Sequence, residues 1–162
     1  MIVRPVTTDD RAWIVDTLRG SWNQTTVVSR GRAIRADELP GFIAEIDGTP
    51  CGLATYDIVD GDMELVTIDA IDQQHGVGTA LVNVTVELAR ARQCRRLWLV
   101  TTNDNVDAIR FYQRRGFRLV AVHVNAVDEA RMIKPSIPLI GDYGVAVHDE
   151  IEFEILTNPQ NL

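Results

Sequence analysis

Gln73-Gln74-His75-Gly76-Val77-Gly78-Thr79-Ala80-Leu81 is the stretch that decides the fold of this 162-residue chain. Before it lies an apolar-rich run, Glu64 to Ala70, that reads as a strand. After it, Thr79 to Arg92 carries apolar residues at helical spacing. A strand, a tight Gly-x-Gly turn and a helix start together make an anion site. The first backbone N–H groups of a helix have no intrahelical partners, and the helix dipole places about half a positive charge there. Glycines let the backbone approach a phosphate without a Cβ in the way. Two phosphate motifs are excluded. The dinucleotide fingerprint needs a third glycine where Leu81 stands, and an acid about 20 residues on. The next strand ends Val100-Thr101-Thr102, with no acid until Asp104. A P-loop needs a Gly-Lys pair, and the sequence has none.

The apolar content of 46% and charged content of 24% are those of an ordinary globular chain, and the length fits a single domain over residues 1–162. No apolar run approaches the roughly 20 residues of a membrane span, and Met1-Ile2-Val3-Arg4-Pro5 carries no signal-peptide core. A cytoplasmic protein with no membrane partner is therefore expected. Cys51 and Cys94 read as buried small hydrophobes in a reducing compartment. The net charge of −7 argues against a nucleic-acid partner, whose footprint is basic. The histidines and cysteines show no metal-ligand spacing, so no metal is expected.

Working outward, Ile2 to Val6 reads as a first strand, at an edge because of Pro5. Thr8-Asp9-Asp10 reads as a helix cap, followed by a stripe of Trp13, Ile14, Thr17 and Leu18 to about Arg19. Residues 21–39 have mixed composition and no assigned structure; Arg19, Arg30, Arg32 and Arg35 read as a solvated basic face. Gly41 to Ile46, Cys51 to Ile58 and Met63 to Ala70 form an antiparallel meander, turned at Asp47-Gly48 and Asp60-Gly61. Arg95 to Val100 is a buried strand, and the strand–helix–strand unit makes it parallel to the strand before the glycine turn. Asn105 caps a helix with Ala108, Ile109, Phe111 and Tyr112 on its apolar face, ended by Gly116. Phe117 to Asn125 is a strand, Ala126 to Lys134 is helical, a long loop runs through Gly144, and Glu150 to Ile155 alternates as the last strand.

Gln73-x-x-Gly76-x-Gly78 resembles the pyrophosphate loop, Gln/Arg-x-x-Gly-x-Gly/Ala, of the GNAT superfamily of acyl-CoA-dependent N-acetyltransferases. Asn105-x-x-Ala108-Ile109-x-Phe111-Tyr112-x-x-x-Gly116-Phe117 resembles the second signature of the same superfamily. The likeness covers residues 2–125 well and the C-terminal 35 residues loosely. It implies an α/β fold with a mixed, mostly antiparallel sheet, a splayed parallel strand pair and flanking helices. It also implies acetyl-CoA as cosubstrate. Ile68 and Ala70 would contact the pantetheine arm. Gln73, His75, Gly76, Val77, Gly78 and Thr79 would hold the pyrophosphate, with Gln74 within reach of it. Asn105 would hold the arm or a bridging water. Where the family carries Arg or Lys, Gln73-Gln74-His75 supplies no fixed charge, so affinity would rest on backbone donors.

Acetyl transfer needs a neutral amine, a polarised thioester carbonyl, a proton for the departing sulfur and close positioning. Tyr112 is the candidate acid, because a phenol with a pKa near 10 stays protonated at neutral pH. Glu64 is the candidate base, with Asp69 as its rival. The expected reaction moves an acetyl group to a primary amine, on a small molecule or a peptide, by direct attack. The cysteines lie in no cleft motif that would favour an acyl-enzyme. The alternative is a non-catalytic acyl-CoA-binding sensor. The segment Ala126–Gly144 reads as an acceptor-site lid or a dimer contact, which leaves a homodimer open.

Overall fold

The computed structural model describes residues 1–71 and 75–157. In chain order its elements are β1 (Ile2–Pro5), α1 (Arg11–Trp22), β2 (Thr26–Ser29), β3 (Arg32–Arg35), β4 (Gly41–Ile46), β5 (Thr49–Val59), β6 (Asp62–Ala70), α2 (Val77–Ala91), β7 (Arg96–Thr102), α3 (Val106–Gln113), β8 (Arg118–His123), α4 (Ala126–Ile133) and β9 (Glu150–Leu156). The expected α/β class is what forms, with antiparallel pairing between β1 and β4, β4 and β5, β5 and β6, and β8 and β9. The backbone falls into two compact units. Of the described residues, the first holds 1–27, 35–71, 75–97 and 156–157; the second holds 28–34 and 98–155.

In the first unit the strand order is β1-β4-β5-β6. Both hairpin turns are set by an Asp-Gly pair. Asp47 and Gly48 take φ of 52° and 77°, and Asp60 and Gly61 take 53° and 83°. Two consecutive left-handed residues twist the chain in the sense that matches the strands, and Asp-Gly is the pair that tolerates it. Pro5 stands on β1, the strand at the end of this order, where its missing N–H breaks no inner ladder. Helix α2 turns Val77, Leu81, Val82, Thr85, Val86 and Ala89 inward, the spacing of one helical face. Leu81 is completely buried, which contributes about 1.5–3 kcal/mol.

Helix α1 is entered differently from the expected cap. Thr7, not Thr8, precedes the first turn, and its N–H and Oγ1 both donate to Asp10 Oδ2 at 2.8 Å. The same carboxylate takes both terminal nitrogens of Arg4 at 2.8 Å, and Arg4 Nε donates to Glu45. One guanidinium thus ties β1 to the start of α1 and to β4. The helix runs on to Trp22, where Asn23 ends it in the left-handed region at φ 59°.

The unassigned segment 21–39 holds the β2–β3 hairpin, turned by Arg30-Gly31 with φ of 47° and 75°. The basic face stays exposed, but two of its arginines, Arg30 and Arg35, are paired with buried acids. Arg35 and Arg11 pair with the buried carboxylate of Asp37 at 3.0 and 3.4 Å, and Arg30 pairs with buried Glu150 at 3.1 Å. The sequence pattern missed this because the carboxylates lie in no periodic element beside the arginines.

In the second unit the order is β7-β9-β8, with Leu119 opposite Phe153 across β8 and β9. The strand expected over Phe117–Asn125 is shorter, and Phe117 turns into the core instead. Beyond the end of α3 at Gln113, Gly116 takes φ 86°, open to glycine without strain, and its N–H donates to Gln113 O at 3.1 Å while the Phe117 N–H donates to Tyr112 O at 3.2 Å, closing the helix end.

The Arg4 guanidinium, with help from hydrogen bonds of Thr7, holds the Asp10 carboxyl well below the usual carboxylate range, against the opposing effect of burial. A lowered native pKa contributes stability above the unfolded value of about 3.9 and loses it as the pH falls toward the native value. Asp10→Ala should therefore cost about 1 kcal/mol at pH 7, a cap-sized loss. Urea unfolding at pH 7 and pH 3 checks this, with the difference between variant and wild type shrinking at pH 3.

Candidate active site

The glycine turn lies in the first unit. Gly76 takes φ 71° and ψ 20° directly before α2, and no side chain caps the helix. The Ala80 N–H closes the first turn on Gly76 O at 3.0 Å. Val77 and Gly78 are buried, Thr79 is half-buried, and His75 and Gly76 are exposed. The turn therefore presents the helix's first N–H groups at one end of a 15-residue dipole. A Cβ built on Gly76 meets nothing within 4 Å, so the left-handed φ is what selects glycine here. Gln73 and Gln74 lie outside the described residues.

A second glycine fixes the height of this helix above the sheet. A Cβ on Gly52 would lie 2.4 Å from Val77 Cγ1 and 3.0 Å from Leu81 Cδ1. The first turn of α2 therefore rests directly on the β5 backbone. Gly52 is opposite Ala70 and Ala54 is opposite Ile68, so Ile68 and Ala70 share the sheet face that carries α2. Both are half-buried.

The other face of β6 carries the acids. Thr55 pairs with Thr67, but Tyr56 pairs with Leu65, so Val66 is an extra residue on β6. Such a bulge reverses the alternation beyond it. Plain alternation from Thr67 would send Glu64 to the α2 face. The bulge brings Glu64 opposite Asp57, on the face of Leu53, Thr55, Thr67 and Asp69. The hydroxyls of Thr55 and Thr67 meet at 2.7 Å on that face. Glu64 is only 2% exposed. Asp69, at the C-terminal end of β6, is half-buried and accepts a hydrogen bond from Trp22 Nε1 at 3.0 Å. Burial pushes the Asp69 carboxyl above the usual carboxylate range, against hydrogen bonds from Ser21 and Trp22.

The second signature lies in the second unit. Asn105 Oδ1 accepts the Ala108 N–H at 3.1 Å, so this side chain caps α3 as expected. Tyr112 is 5% exposed and stands among Phe111, Phe117 and Phe153, with ring centroids at 5.2, 5.5 and 6.1 Å. The neighbouring turn is held by residues that sequence reading did not single out. Asn103 Oδ1 accepts the N–H groups of His148 and Asp149 at 3.0 Å, and its Nδ2 donates to Ala146 O at 2.8 Å. Buried Asp104 accepts the Asp142 N–H at 2.9 Å, and Gly141 is required beside it, since a Cβ there would lie 1.9 Å from Asp104 Oδ2. Arg131 donates to the carbonyls of Ile137, Pro138 and Val147. The long loop after α4 is thus fastened to the β7–α3 turn and to α4. Asn-Asp-Asn at the end of a strand was the signal available in the sequence.

Residues 11–117 match the family described as the acetyltransferase (GNAT) family. The protein YdhI of Bacillus subtilis strain 168 is 38% identical over 154 residues, covering 94% of this chain and 96% of that protein. An IAA acetyltransferase from Bacillus cereus superposes with a TM-score of 0.74 at 19% identity, covering 96% of this chain and 98% of that one. A GNAT family acetyltransferase from Elizabethkingia anophelis with acetyl-CoA bound superposes with a TM-score of 0.67 at 18% identity, covering 96% and 97%.

Gly52→Ala tests the contact that seats α2. The added methyl forces the first helical turn off β5, and overpacking of this kind costs about 1–3 kcal/mol. The expected outcome is a fall of several degrees in melting temperature by circular dichroism. Gly48→Ala, whose Cβ meets nothing within 4 Å, is the comparison for backbone strain alone.

Proposed function

The chain belongs to the acetyltransferase (GNAT) family, and on that premise we propose that it moves an acetyl group from acetyl-CoA to a primary amine by direct attack. The observation that carries the cosubstrate is the uncapped start of α2 behind left-handed Gly76, at the end of β6. The N–H groups of Val77, Gly78 and Thr79 bind the pyrophosphate, with His75 beside them. Ile68 and Ala70 meet the pantetheine arm. The turn carries no lysine or arginine, so backbone donors and the dipole supply the attraction.

In this reading Tyr112 donates a proton to the departing sulfur, and Asn105 holds the arm while it caps α3. Tyr112 sits in an aromatic cage that fixes its ring, which supports a positioned donor. The acceptor's proton passes to one of the two carboxylates on the acidic face of β6, Glu64 or Asp69. Among the described residues the buried Cys51 and Cys94 form no disulfide, which supports a reducing, cytoplasmic setting. A sensor without turnover would keep the phosphate turn and need none of the groups assigned to proton transfer.

Acetyl-CoA at about 100 times its Kd should stabilise the fold by roughly 2.7 kcal/mol, a shift of a few degrees, while NAD and ATP give none. No shift at millimolar acetyl-CoA would refute the cosubstrate. Gly76→Asp places a carboxylate at the phosphate position and should abolish the acetyl-CoA shift; an unchanged shift would refute the loop assignment. Tyr112→Phe should lower amine-dependent CoA release at least tenfold with acetyl-CoA affinity within a fewfold, read by a thiol assay and a ligand titration. Equal turnover in this variant would remove Tyr112 from the acid role.

A further inference from the structure

The acids of the first unit differ in what neutralises them. Asp10 and Glu45 meet Arg4, Asp37 meets Arg35 and Arg11, and Asp62 meets Arg95 and Arg96. Asp69 is half-buried, yet among the described residues it makes no ion pair. Its partners are two neutral donors at the end of α1, the Trp22 indole and the Ser21 hydroxyl. A half-buried carboxylate without a cation is costly, and an incoming ammonium would supply the missing charge.

The surroundings suit such a guest. Trp22 remains 36% exposed, and its indole N–H holds the Asp69 carboxylate at a place a guest can reach. Asp69 stands one residue before Ala70 and seven before Gly76, at the phosphate-turn end of β6. Glu64 shares its face but lies toward the other end of the strand and is sealed from water. A base must pass its proton on to solvent, and Asp69 has the access that Glu64 lacks. Burial already holds the Asp69 carboxyl above its ordinary range, in the direction that makes it a better base near neutral pH.

We propose that Asp69 and Trp22 form the subsite for the acceptor's ammonium group and that the Asp69 carboxylate takes its proton. This rests on the acetyl-transfer reading. One N–H proton of the ammonium moves to Asp69 and then to water. The freed nitrogen lone pair forms the N–C bond to the thioester carbonyl as the C–S bond breaks. The sulfur takes a proton from the acid assigned to Tyr112, which is restored through water by the surplus proton on nitrogen. The sum is ammonium plus acetyl-CoA giving acetamide, CoA thiol and one proton. Among the described residues no guanidinium acts on Asp69, so a carboxylate on the carbon beside the amine meets only the Asp69 charge and is repelled. Alkyl amines, diamines and lysine-like side chains fit; free α-amino acids do not.

Asp69→Asn keeps the size of the side chain and an acceptor for Trp22, so it tests charge rather than packing. CoA release is measured with 1,4-diaminobutane, spermidine, Nα-acetyl-lysine and glycine, alongside the acetyl-CoA thermal shift. The expected result is a wild type that prefers the cationic amines to glycine. In Asp69→Asn, kcat/KM for those amines falls about 100-fold or more while the shift stays within a degree. Trp22→Phe raises the KM for the amines. Asp69→Asn within threefold of wild type overturns the proposal, and so does a preference for glycine. A wild type that binds acetyl-CoA but releases CoA with no amine sinks the acetyl-transfer reading and this proposal with it. A wild type that turns over as well as Asp69→Asn does sinks this proposal alone.

Discussion

The left-handed turn at Gly76 is the constraint on which the first unit depends. It lets β6 end and α2 begin within a few residues, and the residue at the N-cap, a glycine, makes no side-chain cap. That uncapped start would be a liability in a helix with no ligand, since an Ncap side chain commonly contributes about 1 kcal/mol. Packing compensates. Val77 and Leu81 of the first turn are 1% and 0% exposed, and the missing Cβ of Gly52 lets them rest on β5. The helix is held by its apolar face, which frees its end for an anion.

Much of this was legible in the sequence because it is local. The Asp47-Gly48 and Asp60-Gly61 turns, the apolar face of α2, the Asn105 cap and the Gly116 stop each follow from residue types at fixed short spacing. What stayed hidden depends on partners distant in the chain. The bulge at Val66 leaves no mark in the pattern of β6, yet it decides which face Glu64 occupies. The buried acids Asp37 and Glu150 turn arginines that looked like a solvated face into ion-pair partners, one of them 120 residues away. Thr7 displaced Thr8 as the helix entry because Arg4 and Asp10 fix the turn together.

The second unit shows how a variable segment becomes fixed. Residues 135–149 carry two prolines and two glycines around short apolar stretches, and periodicity says nothing about where they go. Three side chains settle it. Asn103 binds the backbone at Ala146, His148 and Asp149, Asp104 binds Asp142, and Arg131 binds three carbonyls. Backbone groups in a loop must find partners when they are buried, and here polar side chains from the β7–α3 turn and α4 supply them. The arrangement keeps this loop beside the helix that carries Asn105 and Tyr112.

Amide hydrogen exchange with and without acetyl-CoA tests the central claim most directly. If the start of α2 is the phosphate cradle, the amides of Val77, Gly78 and Thr79 gain protection on adding acetyl-CoA, while those at the C-terminal end of α2 change little. Protection that appears elsewhere, with none at these three amides, would contradict the account.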